Sequence, residues 1–86
     1  IMQDTIEMNR LRLACRRGML ELDLFLNRYL DTGYRQADEA EKALFETLLG
    51  CEDPDLFAWL TGKDTPKDPG LHKIVSIIQR SAILSP

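Results

Sequence analysis

The sequence predicts an all-α fold, a compact single-domain bundle of five helices. Apolar residues recur every three to four positions in separate stretches, and Gly, Pro and Asp residues that start or stop helices bound these stretches. No stretch shows the sustained alternation that is typical of a strand. With 86 residues, 44% of them hydrophobic and 29% charged, the chain has the size and composition of one globular unit, so residues 1–86 are expected to form a single helical domain.

The first helix is predicted to begin at Asp4 and to end at Gly18. Asp4 and Glu7 have the three-residue spacing of a capping box. Gly18 suits a helix end because it adopts positive φ readily, and Arg16 and Arg17 would lie in the last turn, where the helix dipole favours cations. The expected apolar stripe consists of Met8, Leu11 and Cys15, flanked by Ile6 and Ala14.

The second helix is predicted to follow after almost no loop. Glu21 lies in its first turn, the favourable end of the helix dipole for an anion. A turn signal that contains Gly33 closes it. The expected buried face consists of Leu22, Phe25, Leu26, Tyr29 and Leu30, widened by Leu20 and Leu24.

The third helix is predicted over residues 38–49, with Gly50 as its stop. Two acidic residues near its start suit the positive end of the helix dipole. Its expected buried side consists of Ala40, Leu44 and Leu48, flanked by Phe45 and Leu49.

The last two helices are predicted from their start signals. Asp53 is expected to be the N-cap of the fourth helix, which ends at Gly62, and Asp68 precedes the fifth in the same way. In both cases a proline follows the aspartate at the first helical position, where its missing N–H costs nothing. Trp59 in the fourth helix is expected in the core, with a partner-binding anchor as the alternative.

The charged corner at residues 16–21 is the strongest candidate for a functional site. Helix-end chemistry explains each residue, but two consecutive arginines point in different directions, so at least one is not needed for the cap. A tight corner is rigid and can present a guanidinium, a carboxylate and an unobstructed backbone in a fixed arrangement. We predict a partner-binding site of Arg17, Gly18 and Glu21, extended by Arg16 and Arg10.

Metal and catalytic sites are not expected. Cys15, Cys51 and His72 lack the paired spacing of metal ligands. The chain has one histidine and no glycine-rich phosphate loop, and Glu21 and Asp23 lie two residues apart on a helix, where they point to different faces. We therefore expect no metal site, no catalytic residues and no enzyme activity.

The distribution of charge favours a protein partner over a nucleic acid. The net charge is −3, with a mildly basic start and a strongly acidic middle, and Glu21 and Asp23 on the second helix would be repelled by phosphates. No apolar run approaches the roughly 18 residues of a membrane helix, and no signal peptide opens the chain. Two cysteines are few for a secreted disulfide scaffold. We expect a cytoplasmic monomer that binds no nucleic acid and does not insert into membranes.

Two stretches of the sequence resemble one known family. Residues 14–23, ACRRGMLELD, and residues 53–60, DPDLFAWL, are similar to the SdhE (YgfY-like) family of succinate dehydrogenase assembly factors, and the likeness extends over about residues 9–80. Arg17, Gly18 and Glu21 fill the Arg-Gly-x-x-Glu motif of this family in register. The resemblance implies a small five-helix bundle, in agreement with the fold that the pattern predicts.

The resemblance also implies a function. Members bind the flavoprotein subunit of succinate dehydrogenase, and of fumarate reductase where present, and promote covalent attachment of FAD to a histidine of that client, so no cofactor is held stably. The bond forms largely autocatalytically, and the assembly factor acts as a chaperone. Arg17 and Glu21 would then bond to the client, and Gly18 would allow close approach.

Two alternatives stay open at this point. One is an FAD carrier that holds the pyrophosphate with Arg16 and Arg17, since arginine suits phosphate. The other is a protein-interaction module of a different pathway, such as an antitoxin.

Overall fold

The computed structural model describes the backbone of residues 2–84 and the side chains of residues 5–82. Within this range the chain forms α-helices and one short 3₁₀ helix, and contains no β-strand, which confirms the predicted all-α five-helix class. In chain order the elements are α1 (Met2–Ala14), α2 (Leu20–Thr32), the 3₁₀ helix (Tyr34–Gln36), α3 (Glu39–Leu49), α4 (Asp53–Leu60) and α5 (Pro69–Leu84).

Helices α2 and α5 pack against each other at the centre of the fold. Helix α3 packs on α5, α4 contacts both central helices, and α1 lies against α2. The radius of gyration of 12.2 Å matches the roughly 12 Å expected for a compact chain of this length. The buried core consists of Leu11, Cys15, Leu22, Leu26, Tyr29, Leu30, Tyr34, Phe45, Leu48, Leu56, Leu60, Ile74, Val75 and Ile78.

An aromatic cluster joins α2, the 3₁₀ helix and α3. The ring centroid of Phe45 lies 4.8 Å from that of Tyr29 and 5.6 Å from that of Tyr34. The Tyr29 hydroxyl donates to Glu41 at 2.6 Å, so the polar end of this buried ring is satisfied. Burial and this hydrogen bond raise the pKa of Tyr29, which keeps the ring neutral in the folded protein.

The predicted starts of α3 and α5 are confirmed, whereas that of α4 is wrong in detail. Asp38 accepts a hydrogen bond from the backbone N–H of Glu41 at 2.8 Å, and Asp68 accepts one from Leu71 at 2.9 Å. In α4, however, the N-cap is Glu52, which makes no side-chain cap bond, and helix α4 begins at Asp53 itself.

Both predicted ends of the first helix are also wrong. Helix α1 already includes Met2, so Asp4 does not start it, and the side chain of Asp4 lies outside the described residues. At the other end α1 stops at Ala14, and Gly18 lies in a five-residue linker, residues 15–19, that leads to α2. Arg17 explains the early stop, because its Nε donates to the Ala14 carbonyl that a continuing helix would use itself.

The predicted faces of α2 and α3 are too wide. Leu22, Leu26, Tyr29 and Leu30 are buried as expected and Phe25 is partly buried. Leu20 and Leu24 are instead 78% and 56% exposed, and Ala40 is exposed on α3. Leu20 and Leu24 are four residues apart, so they share one side of α2, and that side faces solvent.

Gly33 offers a test of the aromatic cluster. A Cβ atom at Gly33 would come within 2.6 Å of the Tyr29 ring, which is fully buried and packs on Phe45. We expect Gly33→Ala to lower the free energy of unfolding by about 1–3 kcal/mol, the usual cost of overpacking. Urea denaturation followed by circular dichroism measures this change.

Gly50→Ala is the matched control, since Gly50 has the same helical φ and its nearest neighbour is a backbone oxygen at 3.3 Å. If overpacking against Tyr29 is the cause, Gly50→Ala should lower the free energy of unfolding by less than Gly33→Ala does. Equal losses would contradict this explanation.

Candidate functional site

The linker, residues 15–19, is anchored at both ends and exposed in its middle. Cys15 is fully buried in the core, and Met19, the N-cap of α2, packs against the core in an extended conformation. Between them Arg16 and Gly18 are exposed. The fold therefore holds the linker in place and turns its central residues outward.

Arg17 differs from its neighbours because its side chain is only 14% exposed. Its Nε donates to the Ala14 carbonyl at 2.9 Å, and its Nη1 donates to Asp53 at 3.0 Å and to the Cys51 carbonyl at 3.4 Å. Its Nη2 donates to the Leu49 carbonyl. All three guanidinium nitrogens are thus bonded within the chain, and they join the linker to the connection between α3 and α4.

The backbone of Arg17 is tied to α2 as well. Its N–H donates to the Asp23 carboxylate at 2.8 Å, and the Asn27 side chain donates to the Asp23 carbonyl at 2.9 Å. The sequence analysis considered Asp23 only as a carboxylate near Glu21 and as an acid on the second helix. Its bond to Arg17 spans six residues, which lies outside the common local side-chain-to-backbone patterns, so the sequence offers no signal for it.

Gly18 has the positive φ that the sequence predicts. Its φ is +78°, a conformation that favours glycine, although it lies within the linker and not at the end of α1. A Cβ atom at this position would meet nothing within 4 Å. The space above the Gly18 backbone is therefore unobstructed on the protein's own side.

The other predicted site residues lie near the linker or one to two turns from it. Arg16 is exposed beside Gly18, and Glu21 is exposed in the first turn of α2. Arg10 lies further back on α1, where its exposed guanidinium pairs with Glu7 and with Glu46 of α3, the latter at 2.6 Å. The structure thus brings Arg16, Gly18 and Glu21 together on one exposed segment, with Arg10 at a distance along α1.

A shallow groove of about 200 Å³ adjoins Glu21 between α2 and the end of α5. Its lining is mainly apolar, with Leu24, Phe25 and Ala82 beside Glu21 and Arg28. Arg28 donates to the Ala82 carbonyl at 3.3 Å, which closes one side of the groove.

The candidate metal ligands are separate in the structure. In the part of the chain that is described, no group of three His, Cys, Asp or Glu side chains is placed to hold a metal ion. Both cysteines are free, and burial raises the pKa of the Cys15 thiol to about 11, so it is not a thiolate at neutral pH. His72 is exposed. Trp59 packs against the core but is only partly buried, so it lies between the core position expected for it and the exposed anchor that was the alternative.

Between residues 2 and 84, no helix combines the length and the apolar composition needed to cross a bilayer.

Comparison with known proteins identifies relatives along most of the chain. The model of a family named Sdh5, described as "Flavinator of succinate dehydrogenase", matches residues 9–82. A protein named FAD assembly factor SdhE from Shewanella oneidensis is 48% identical over 66 residues, which cover 77% of this chain and 80% of the relative. Its namesake from Coxiella burnetii is 39% identical over 79 residues, or 92% of this chain and 96% of the relative. The residues that the family model matches include the linker and α4.

Substitutions of the two neighbouring arginines of the linker should affect stability differently. We expect Arg17→Lys to lower the free energy of unfolding by about 1–3 kcal/mol, because a single ammonium cannot replace three guanidinium nitrogens and leaves partly buried carbonyls unpaired. Arg16→Lys should stay within about 0.5 kcal/mol, as is usual for exposed residues. Urea denaturation of both variants measures the difference. If Arg17→Lys lowers the free energy of unfolding as little as Arg16→Lys is expected to, the bonds that only the Arg17 guanidinium can make contribute nothing to stability.

Proposed function

Because the chain belongs to the Sdh5/SdhE family of succinate dehydrogenase flavinators, we propose that it is an assembly factor that promotes covalent attachment of FAD to the flavoprotein subunit of that enzyme. Where a cell contains fumarate reductase, its flavoprotein subunit is proposed as a second client. The observation that carries this proposal is the family match over residues 9–82, which includes the Arg-Gly-x-x-Glu motif at Arg17, Gly18 and Glu21.

The proposed docking surface is the exposed part of the linker with the start of α2. A partner can approach the Gly18 backbone closely because no side chain of this protein lies over it. Arg16 and Glu21, exposed on either side, would make charge-assisted hydrogen bonds to the client. Arg10 would extend the surface along α1, although its half-exposed guanidinium pairs with Glu7 and Glu46 and would have to share these partners with the client. Arg17 belongs to the predicted set, although its guanidinium nitrogens already donate to acceptors of this chain.

We propose that the protein acts as a chaperone without catalytic groups of its own. Aligning two reactive groups can remove roughly 7–11 kcal/mol of an activation barrier, so a partner that only positions the flavin and the accepting histidine can have a large effect. The exposed charged groups beside Gly18 are a guanidinium and a carboxylate, which suit recognition of a protein surface.

The proposal includes no stably bound FAD. Of the two arginines that would hold the pyrophosphate of a carried flavin, Arg17 is already bonded within the chain, which leaves only the exposed Arg16. The groove beside Glu21, at about 200 Å³, is smaller than the roughly 300–1,000 Å³ of typical ligand sites, and the groove of about 320 Å³ that is lined by Tyr34, Arg35 and Lys42 includes no residue of the linker. These observations favour an assembly factor over a flavin carrier.

We further propose that the protein acts as a monomer in a reducing compartment such as the cytoplasm. Two free cysteines suit such a compartment. The buried core is formed within one copy of the chain, so no second copy is needed to complete it.

Gly18 and Gly62 form a matched pair for testing the docking surface. Both have positive φ, +78° and +81°, and a Cβ atom at either would meet nothing within 4 Å. Asparagine tolerates this conformation better than other residues with side chains, so both substitutions to Asn should cost similar stability. Only Gly18→Asn adds atoms where the client is proposed to approach.

We expect Gly18→Asn to weaken docking by about tenfold, or ~1.4 kcal/mol, and therefore to lower covalent flavin on the client. Gly62→Asn should support wild-type levels. In-gel flavin fluorescence of the flavoprotein subunit, in cells whose own assembly factor is deleted, measures both. If a folded Gly18→Asn variant and even Gly18→Arg leave flavinylation unchanged, the proposed docking surface is wrong.

A further inference from the structure

The two segments that carry the family resemblance touch each other in the fold. Arg17 of the linker donates to Asp53 of α4 at 3.0 Å, although the two residues are 36 positions apart in sequence. Asp53 was expected to cap α4, but Glu52 is the N-cap, and the Asp53 carboxylate accepts from the linker instead. This contact links the shape of the linker to the start of another helix.

From this contact we infer that Arg17 is a positioning residue for client docking, and that Asp53 shares this role from outside the docking surface. The inference rests on the proposed function. It differs from a direct-contact role in one respect: Arg17 acts on the client through the backbone of Gly18, which it holds, and not through its own guanidinium.

The hydrogen bonds of Arg17 argue against direct contact. Its Nε, Nη1 and Nη2 all donate to acceptors of this chain, and the side chain is only 14% exposed. A client carboxylate would have to displace Asp53 and would leave the carbonyls of Leu49 and Cys51 without this donor. Unpaired and partly buried acceptors are costly, so such an exchange offers little net gain.

The same bonds explain how Arg17 can act at a distance. Gly18 is the residue of the linker with the widest choice of backbone conformations, and it directly follows Arg17. The Arg17 side chain holds the linker to α4, and its N–H holds the linker to Asp23 of α2. A segment held in its bound shape loses less conformational entropy when a partner docks, so these ties should increase affinity.

Asp53 permits a test that leaves every proposed docking residue in place. We compare Asp53→Ala with Asp55→Ala, because both remove one carboxylate from the first turn of α4 and Asp55 is exposed. The probe is the purified apo flavoprotein subunit of succinate dehydrogenase, and the measurement is its Kd for each full-length variant by calorimetry. We expect Asp53→Ala to weaken binding by roughly five- to tenfold, as for loss of one partly exposed charge-assisted hydrogen bond, and Asp55→Ala to stay within about twofold.

A double-mutant cycle separates positioning from contact. If Arg17 acts through its bond to Asp53, Asp53→Ala should raise the Kd by less than about twofold in a chain that already carries Arg17→Ala. Asp53→Asn retains an oxygen that can accept from Arg17, so it should restore most of the affinity.

Two further measurements exclude a general loss of stability as the cause. Ile78→Val lowers stability in the core, away from the linker, and should leave the Kd unchanged at a temperature at which all variants are folded. Amide hydrogen exchange by NMR should be faster in Asp53→Ala at Arg17, whose N–H donates to Asp23, whereas the amides of α5 should keep their wild-type rates.

The inference is overturned if Asp53→Ala binds the apo subunit as tightly as Asp55→Ala, or if the effects of the Arg17 and Asp53 substitutions simply add. Failure of the proposed function has a different signature, because the wild-type chain would then not bind the flavoprotein subunit. If the wild-type chain binds the subunit and Asp53→Ala binds it equally well, the positioning role is rejected, whereas the proposed function is not.

Discussion

Arg17 places one guanidinium between segments that are far apart in sequence, and the geometry of the linker depends on it. Three of its acceptors are backbone carbonyls, at Ala14, Leu49 and Cys51, and the fourth is the Asp53 carboxylate. Carbonyls at helix ends lack intrahelical partners, and here one side chain satisfies the ends of both α1 and α3. The planar, multiply bonding arginine side chain is suited to this task in a way that lysine is not.

Because of these bonds, one short motif contains both a residue that stabilises the fold and residues that are exposed for recognition. Arg17 turns inward and stabilises the linker, whereas Arg16, Gly18 and Glu21 are exposed on it. A docking surface needs such a division, because groups that contact a partner must be free and the backbone that carries them must be fixed. This arrangement suits the proposed chaperone activity, since a rigid surface can hold a client in one conformation without reactive groups of its own.

Local signals predict much of this structure. The starts of α3 and α5, the positive φ of Gly18 and the five-helix class all follow from neighbouring residues, and the structure confirms them. The end of α1 and the role of Asp53 could not be predicted in this way, because both depend on bonds from Arg17, one of them to a residue 36 positions away. Leu20 and Leu24 have the correct helical spacing for a core face, but among the described side chains no helix covers their side of α2. The sequence pattern located the segment that carries the site, whereas the inward direction of Arg17 depends on acceptors 32 to 36 positions away, which no local pattern reveals.

We propose that this chain promotes covalent flavin attachment to its client. The most direct measurement is a time course of covalently bound flavin on the purified apo flavoprotein subunit of succinate dehydrogenase, incubated with FAD in the presence or absence of the wild-type chain. We expect the covalent adduct to form clearly faster when the chain is present. Equal rates with and without the chain, under conditions in which the two proteins bind, would contradict this proposal.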